Sequence, residues 1–188
     1  MEISNALLVA MMFIVLLTMA IGSIVTALAV TADRRSHLKF DRLHTSWMLL
    51  LLLVCFNLFW HVLDILSVEE WVFLEFLYIV GGAVIILFAS HVLVPDASSE
   101  SSSDIRRHYY EVAPQFFVFV ALLQAWVVGV DMIFGGGFTV GNAISAVVGL
   151  IALVLATSKS PGIHQAGTVA AWVVFLTSLA LQSLKGVS

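Results

Sequence analysis

Seven polar side chains interrupt otherwise apolar stretches of this chain: Asn57, His61, Asp64, Glu75, Gln124, Asp131 and Asn142. His61 and Asp64 are three residues apart, and Asn57 and Asp64 two helical turns apart, so on a helix they share a face. An imidazole among carboxylates can relay a proton or help hold a hard cation. An isolated charge in hydrocarbon costs ~2.5 kcal/mol or more, so these groups are expected to face the protein interior or one another. The plainer account makes Asp64 and Asp131 wet helix ends and His61 a packing residue. Glu75, about a turn inside its apolar stretch, fits that account least well.

Histidines form the second group. His37, His44, His91, His108 and His164 all fall near one boundary of the apolar stretches. Imidazole is a common metal ligand, which makes His44, His91, His108 and His164 the weak candidates for a metal site. None shows the H-x-x-x-H spacing with a catalytic Glu, and His44 and His91 match a haem pair in depth alone, so no cofactor is expected. Cys55 is the single cysteine, which excludes an internal disulfide and a site built on several thiolates.

Enzyme and receptor signatures are missing. There is no G-x-S-x-G, no H-E-x-x-H and no phosphate-cradling glycine loop with a lysine. No stretch has a lysine at its middle for a retinal Schiff base, and no arginine ladder suits a voltage sensor. Catalysis is therefore not the expectation. The basic segments are too short for a nucleic-acid surface.

The elements that position these residues follow from composition. Hydrophobic residues make up 61%, charged residues 11%, and the mean hydropathy is +1.08. Soluble domains carry about a quarter charged residues, so lipid replaces water as the outer solvent here. A helix needs roughly 20 apolar residues to cross the hydrocarbon core. The stretches at about 6–30, 46–67, 71–94, 115–134, 138–157 and 165–184 meet that length. Open strands would strand backbone polar groups in lipid, and the stretches lack the alternation of a barrel. The expected fold is all-α: a polytopic membrane helical bundle of six transmembrane helices, forming one domain over 1–188. Ala6–Val30 exceeds the ~7–15 residues of a signal-peptide core, and Glu2 stands where a basic residue is usual, so the first span is expected to be retained.

Loop charges set an orientation. Arg34, Arg35, Lys39 and Arg42 follow span one, Arg106 and Arg107 lie between spans three and four, and Lys159 between five and six. Glu69 and Glu70 lie between two and three, and no charge lies between four and five. Lys and Arg mark the cytoplasmic side, which puts both termini outside, with Lys185 a mild dissent. The cytoplasmic loop 96–114 opens on a Ser-rich stretch. It then reads as a short interfacial helix, capped at Ser103 or Asp104, that leads to Pro114. Arg106, Arg107, Tyr109 and Tyr110 there can contact lipid headgroups or a protein partner, and Arg and Tyr at this depth also serve as membrane anchors. The five tryptophans read as interface or packing residues. Gly135–Gly137 reads as a tight turn.

A shift of 67 residues lays Asn57 on Gln124, Asp64 on Asp131, Glu75 on Asn142 and Gly82 on Gly149. This hints at a repeated helix hairpin, although any two apolar hairpins align partly by composition.

Val94-Pro95-Asp96, Asp104-Ile105-Arg106-Arg107-His108-Tyr109-Tyr110, Phe116-Phe117 and the Phe59-Trp60 pair resemble a set of small bacterial multi-pass membrane proteins without assigned function. The resemblance covers spans two to four. Members carry basic residues before the paired Phe, where this chain has Ala113-Pro114-Gln115, which counts against headgroup binding at that point. The resemblance implies six helices in a bacterial inner (plasma) membrane, and no activity.

Two functions compete on these grounds. The first is a small channel or transporter for protons, cations or a small polar solute, with the seven polar residues along its path. The second is a non-transporting sensor or scaffold that acts through its basic cytoplasmic loops on a cytoplasmic or membrane protein partner. The lipid bilayer is a partner in either case, and a homo-oligomer suits a path that one small bundle cannot enclose.

Overall fold

A computed structural model describes residues 5–32, 41–68, 70–95, 105–134 and 137–185, apart from the side chains of Asp64 and residues 182–185. The helices are α1 (Asn5–Ala32), α2 (Arg42–Trp60), α3 (Val62–Leu66), α4 (Phe73–Leu93), α5 (Ile105–Phe134), α6 (Val140–Thr157) and α7 (Pro161–Lys185). All but α3 are long and apolar enough to cross a membrane, and there is no strand among the described residues. The expected all-α membrane bundle is what the chain forms.

Helix starts are set by local chemistry. Asp41 accepts a hydrogen bond from the His44 backbone N–H at 2.9 Å, and Thr139 accepts one from Asn142 at 3.3 Å, each as an N-cap. Glu75 reaches back to the Val72 N–H at 3.2 Å, the returning half of a capping box. Val72 has no side-chain acceptor to complete it.

Two expectations about boundaries change. The second span breaks at His61, a turn residue between α2 and α3. The expected short interfacial helix does not exist separately, because α5 runs unbroken from Ile105 through Pro114 to Phe134. Ile105, Tyr109, Ala113, Phe116 and Phe117 form one continuous buried stripe, and its packing holds the helix across the proline, which itself lies exposed. The capping position at Ser103 or Asp104, the Ser-rich stretch, the basic residues 33–40, Glu69 and Gly135–Gly136 lie outside the described residues.

The bundle has a dense side and an open side. On the dense side α1 turns Val9, Phe13, Leu17, Ala20, Ile24 and Ala27 inward at helical spacing, against Ala83, Ile86 and Ala89 of α4. The α4–α5 contact is locked reciprocally: the Tyr78 hydroxyl donates to the Trp126 carbonyl at 3.1 Å, and the Trp126 indole donates to the Tyr78 carbonyl at 2.7 Å. Two glycines make room for this lock. A Cβ on Gly82 would fall on the Trp126 ring, and one on Gly129 would fall on the Tyr78 hydroxyl.

On the open side α6 lies along α5, while α7 rests on α2 and α6. Contacts run round the ring α2–α5–α6–α7, whereas across the diagonals the α2 and α6 backbones barely approach and α5 and α7 come together near one end, where Tyr109, Tyr110 and Phe117 reach His164. The two hairpins suggested by the internal shift pack differently: α5 and α6 make the most extensive pair in the bundle, and α2 and α4 a slight one.

Candidate functional site

The space between those diagonals is a cavity of about 250 Å³. Its wall is mainly apolar. Beside the Trp47 indole, the polar side chains on it are Asn57 from α2, Gln124 from α5, Ser145 from α6 and Ser178 from α7, one from each helix of the ring. Chain direction places all four toward the same end of the bundle, the end where α2 and α5 finish and α6 begins. Toward the opposite end the wall is Trp47, Phe116, Leu155 and Gly167. A Cβ on Gly167 would fall within 2.7 Å of Leu155, so the α6–α7 wall closes tightly there. The cavity is thus a polar collar above an apolar chamber.

The floor of the chamber is tied down. Trp47 donates its indole N–H to Thr168 Oγ1 at 2.9 Å, and its ring meets Phe116 and Phe117 edge-on at 5.6 and 4.9 Å. Trp172 donates to Ser46 Oγ at 2.7 Å. Beneath this floor lies a buried cluster of histidines and tyrosines. Here the starts of α2, α5 and α7 meet the ends of α4 and α6, and it is called the basic end below for Arg42, Arg106, Arg107 and Lys159.

Carbonyl geometry fixes the chemistry of this cluster. The last four carbonyls of a helix lack intrahelical partners, and lipid supplies none. His44 Nε2 lies 2.7 Å from the carbonyl of Leu93, the last residue of α4. His164 Nε2 lies 3.0 Å from the carbonyl of Ser158, the C-cap of α6. A carbonyl only accepts, so both Nε2 atoms carry the proton and donate. His164 Nδ1 therefore accepts from the Tyr109 hydroxyl, 2.9 Å away. Thr168 adds a bond to the His164 carbonyl at 2.7 Å. Each histidine caps a helix that is not its own.

Metal binding gains little from this arrangement. Both His164 nitrogens are engaged, and His91 is exposed. The His44 and His108 rings lie 5.9 Å apart, and His44 Nδ1 and His108 Nε2 are buried with no hydrogen-bond partner among the described residues. Among the described residues no three His, Cys, Asp or Glu side chains come together to hold a metal ion.

The seven sequence candidates separate. Asn57 and Gln124 both line the cavity. Glu75 does not; it caps α4 and borders an open groove between α4 and α5 beside Leu74, Tyr78 and Ile133. His61 is exposed in its turn and Asp131 is half-buried, and neither lines the cavity. Asn142 is fully buried in the first turn of α6, where its amide donates to the Gly137 carbonyl at 3.4 Å. The Asp64 side chain lies outside the described residues.

Tyr109 requires a correction. Expected at lipid headgroups or a partner, it is fully buried, because the unbroken α5 turns it inward with Ile105 and Ala113. Tyr110 packs against Tyr109 and His164 at 5.2 and 5.3 Å. Arg106 and Arg107 are exposed, and Arg107 pairs with Glu111 at 2.8 Å. Ser145, Ser178, Trp47 and Thr168 had no signal in the sequence beyond ordinary packing. No family model matches the chain, and neither a curated protein nor a solved structure is similar to it.

Proposed function

We propose that this chain is a small membrane transport protein whose solute path runs through the cavity between α2, α5, α6 and α7. The observation that carries the reading is the ring itself: four apolar helices line a partly open space, and each contributes one uncharged polar side chain to it. Polar groups inside a membrane bundle are costly, and where they converge on a cavity they mark a binding site or path. All four walls come from a single chain. On the loop charges we read both termini and the polar collar as outward and the basic end as cytoplasmic, and the resemblance suggests a bacterial inner membrane.

The test is flux into liposomes that contain the purified protein, read for protons, potassium ions and small uncharged solutes. Ala152, on the α6 wall, is changed to Leu to fill the chamber. Flux of any one of these that Ala152→Leu abolishes supports the reading. Liposomes no more permeable than protein-free ones to every solute would remove it.

A scaffold or sensor is the second reading, supported by Arg106 and Arg107 lying exposed at the start of α5, at the same end of the bundle as Arg42 and Lys159. It expects a co-purifying protein partner that the double change Arg106→Ala, Arg107→Ala releases. Retention of that partner by the variant counts against it.

A further inference from the structure

The make-up of the cavity wall selects a kind of solute. No ionisable side chain among the described residues lines the cavity. A bare ion entering it would lose its water with no opposite charge to replace it. The ionisable candidates lie elsewhere: Glu75 is bonded to a backbone N–H and faces the α4–α5 groove, and His61 stands exposed in a turn. What the wall offers is two amides and two hydroxyls, each able both to donate and to accept, gathered at one end. Beyond them the chamber is aliphatic and aromatic down to Trp47, whose own N–H is already taken by Thr168. At about 250 Å³ the space is smaller than pockets for drug-sized ligands, which run ~300–1,000 Å³.

We infer that the solute is a small uncharged molecule with a hydrogen-bonding head on a short apolar frame, of the short-chain amide or alcohol class, and that Asn57 and Gln124 read its head. This inference rests on the transport reading and narrows it. The head pairs with the collar while the frame fills the chamber, so neither end of the solute is left unmatched. A proton or metal cation finds no such match.

Butyramide is the probe. Its entry into protein-containing liposomes is followed by stopped-flow light scattering, with proton and potassium flux measured in the same preparations. Butyramide entry faster than in protein-free liposomes is expected. Asn57→Leu and Gln124→Leu, near-isosteric changes, should each lower the added rate about fivefold, the weight of one hydrogen bond. Ala152→Leu and Ser178→Leu fill the space from two different helices, so one well-folded variant suffices, and either should abolish the added rate. Glu75→Gln should leave it unchanged. Proton or potassium flux that Ala152→Leu removes, with no added butyramide entry, overturns this inference and leaves the transport reading standing, whereas ion flux lost in Glu75→Gln moves the path out of the cavity and overturns both. Added butyramide entry indifferent to both filling variants overturns the assignment to this cavity. Absence of all flux removes both readings together.

Discussion

The two ends of the bundle finish the same helices in different ways. At the acidic end, where α4 and α6 begin, each start is capped from within its own segment: Glu75 bonds the Val72 N–H, and Thr139 bonds the Asn142 N–H. At the basic end, where α4 and α6 finish, the caps come from elsewhere in the chain: His44 of α2 serves Leu93, and His164 of α7 serves Ser158. The capping residues Glu75 and Thr139 are half-buried and exposed respectively, and both histidines are fully buried. The difference shows that an ionisable side chain is not a functional site by type. The carboxylate that looked most costly in the sequence has a local backbone duty beside an open groove. His44 and His164, weak metal candidates in the sequence, instead hold separate helices together.

The strongest way to break this contrast is to empty the basic end. Tyr109 is fully buried, meets Tyr110 edge-on and bonds His164. Tyr109→Ala should cost about 3–5 kcal/mol of unfolding free energy, as large aromatic truncations in cores do. Tyr109→Phe, which removes only the hydroxyl, should cost about 1 kcal/mol. Denaturation by SDS in mixed micelles reads both. A loss below about 1 kcal/mol for the alanine variant would mean that this end is not the built part of the molecule.

The capping role itself is sharpened by a pair of substitutions. His44→Leu removes the shorter of two histidine bonds to the Leu93 carbonyl, which His108 also reaches, and should cost about 1 kcal/mol. His44→Gln places an amide N–H near where Nε2 lies and should restore more than half of that. Equal losses in the two variants would show that His44 acts by volume and not by its bond to Leu93.

These effects also explain what could be read in advance. Spans were legible because crossing lipid imposes a length and a composition on each helix separately, so hydropathy alone places α1, α2, α4, α5, α6 and α7. Asn57 and Gln124 were legible as costly polar groups, and the 67-residue shift even paired them, although the hairpins that carry them pack unlike each other. Ser145 and Ser178 were not, since a serine in a membrane helix can satisfy itself on its own backbone and looks like packing. The basic-end caps were invisible for a different reason. His44 and Leu93 are 49 residues apart, and only the tertiary fold brings a ring N–H to a carbonyl over that separation. The start of α5 was misplaced because Pro114 is a strong local breaker, and the stripe from Ile105 to Phe117 that overrides it gains its stability only from contacts with other helices.

The smallest expected effect lies at the acidic end, and it separates the two accounts of Glu75 most cleanly. As a capping residue, Glu75 needs only an acceptor oxygen, which glutamine also carries. Glu75→Gln should therefore change stability by less than about 0.5 kcal/mol, and Glu75→Ala should cost about 0.5–1 kcal/mol, the usual value of a lost cap. His61→Ala, at an exposed turn, should stay within ±0.5 kcal/mol. If Glu75 instead belonged to a buried charge network, removing its charge would leave a partner unpaired and cost several kcal/mol. A loss above about 2 kcal/mol in Glu75→Gln would thus erase the contrast between the ends and return the carboxylates to the centre of the functional problem.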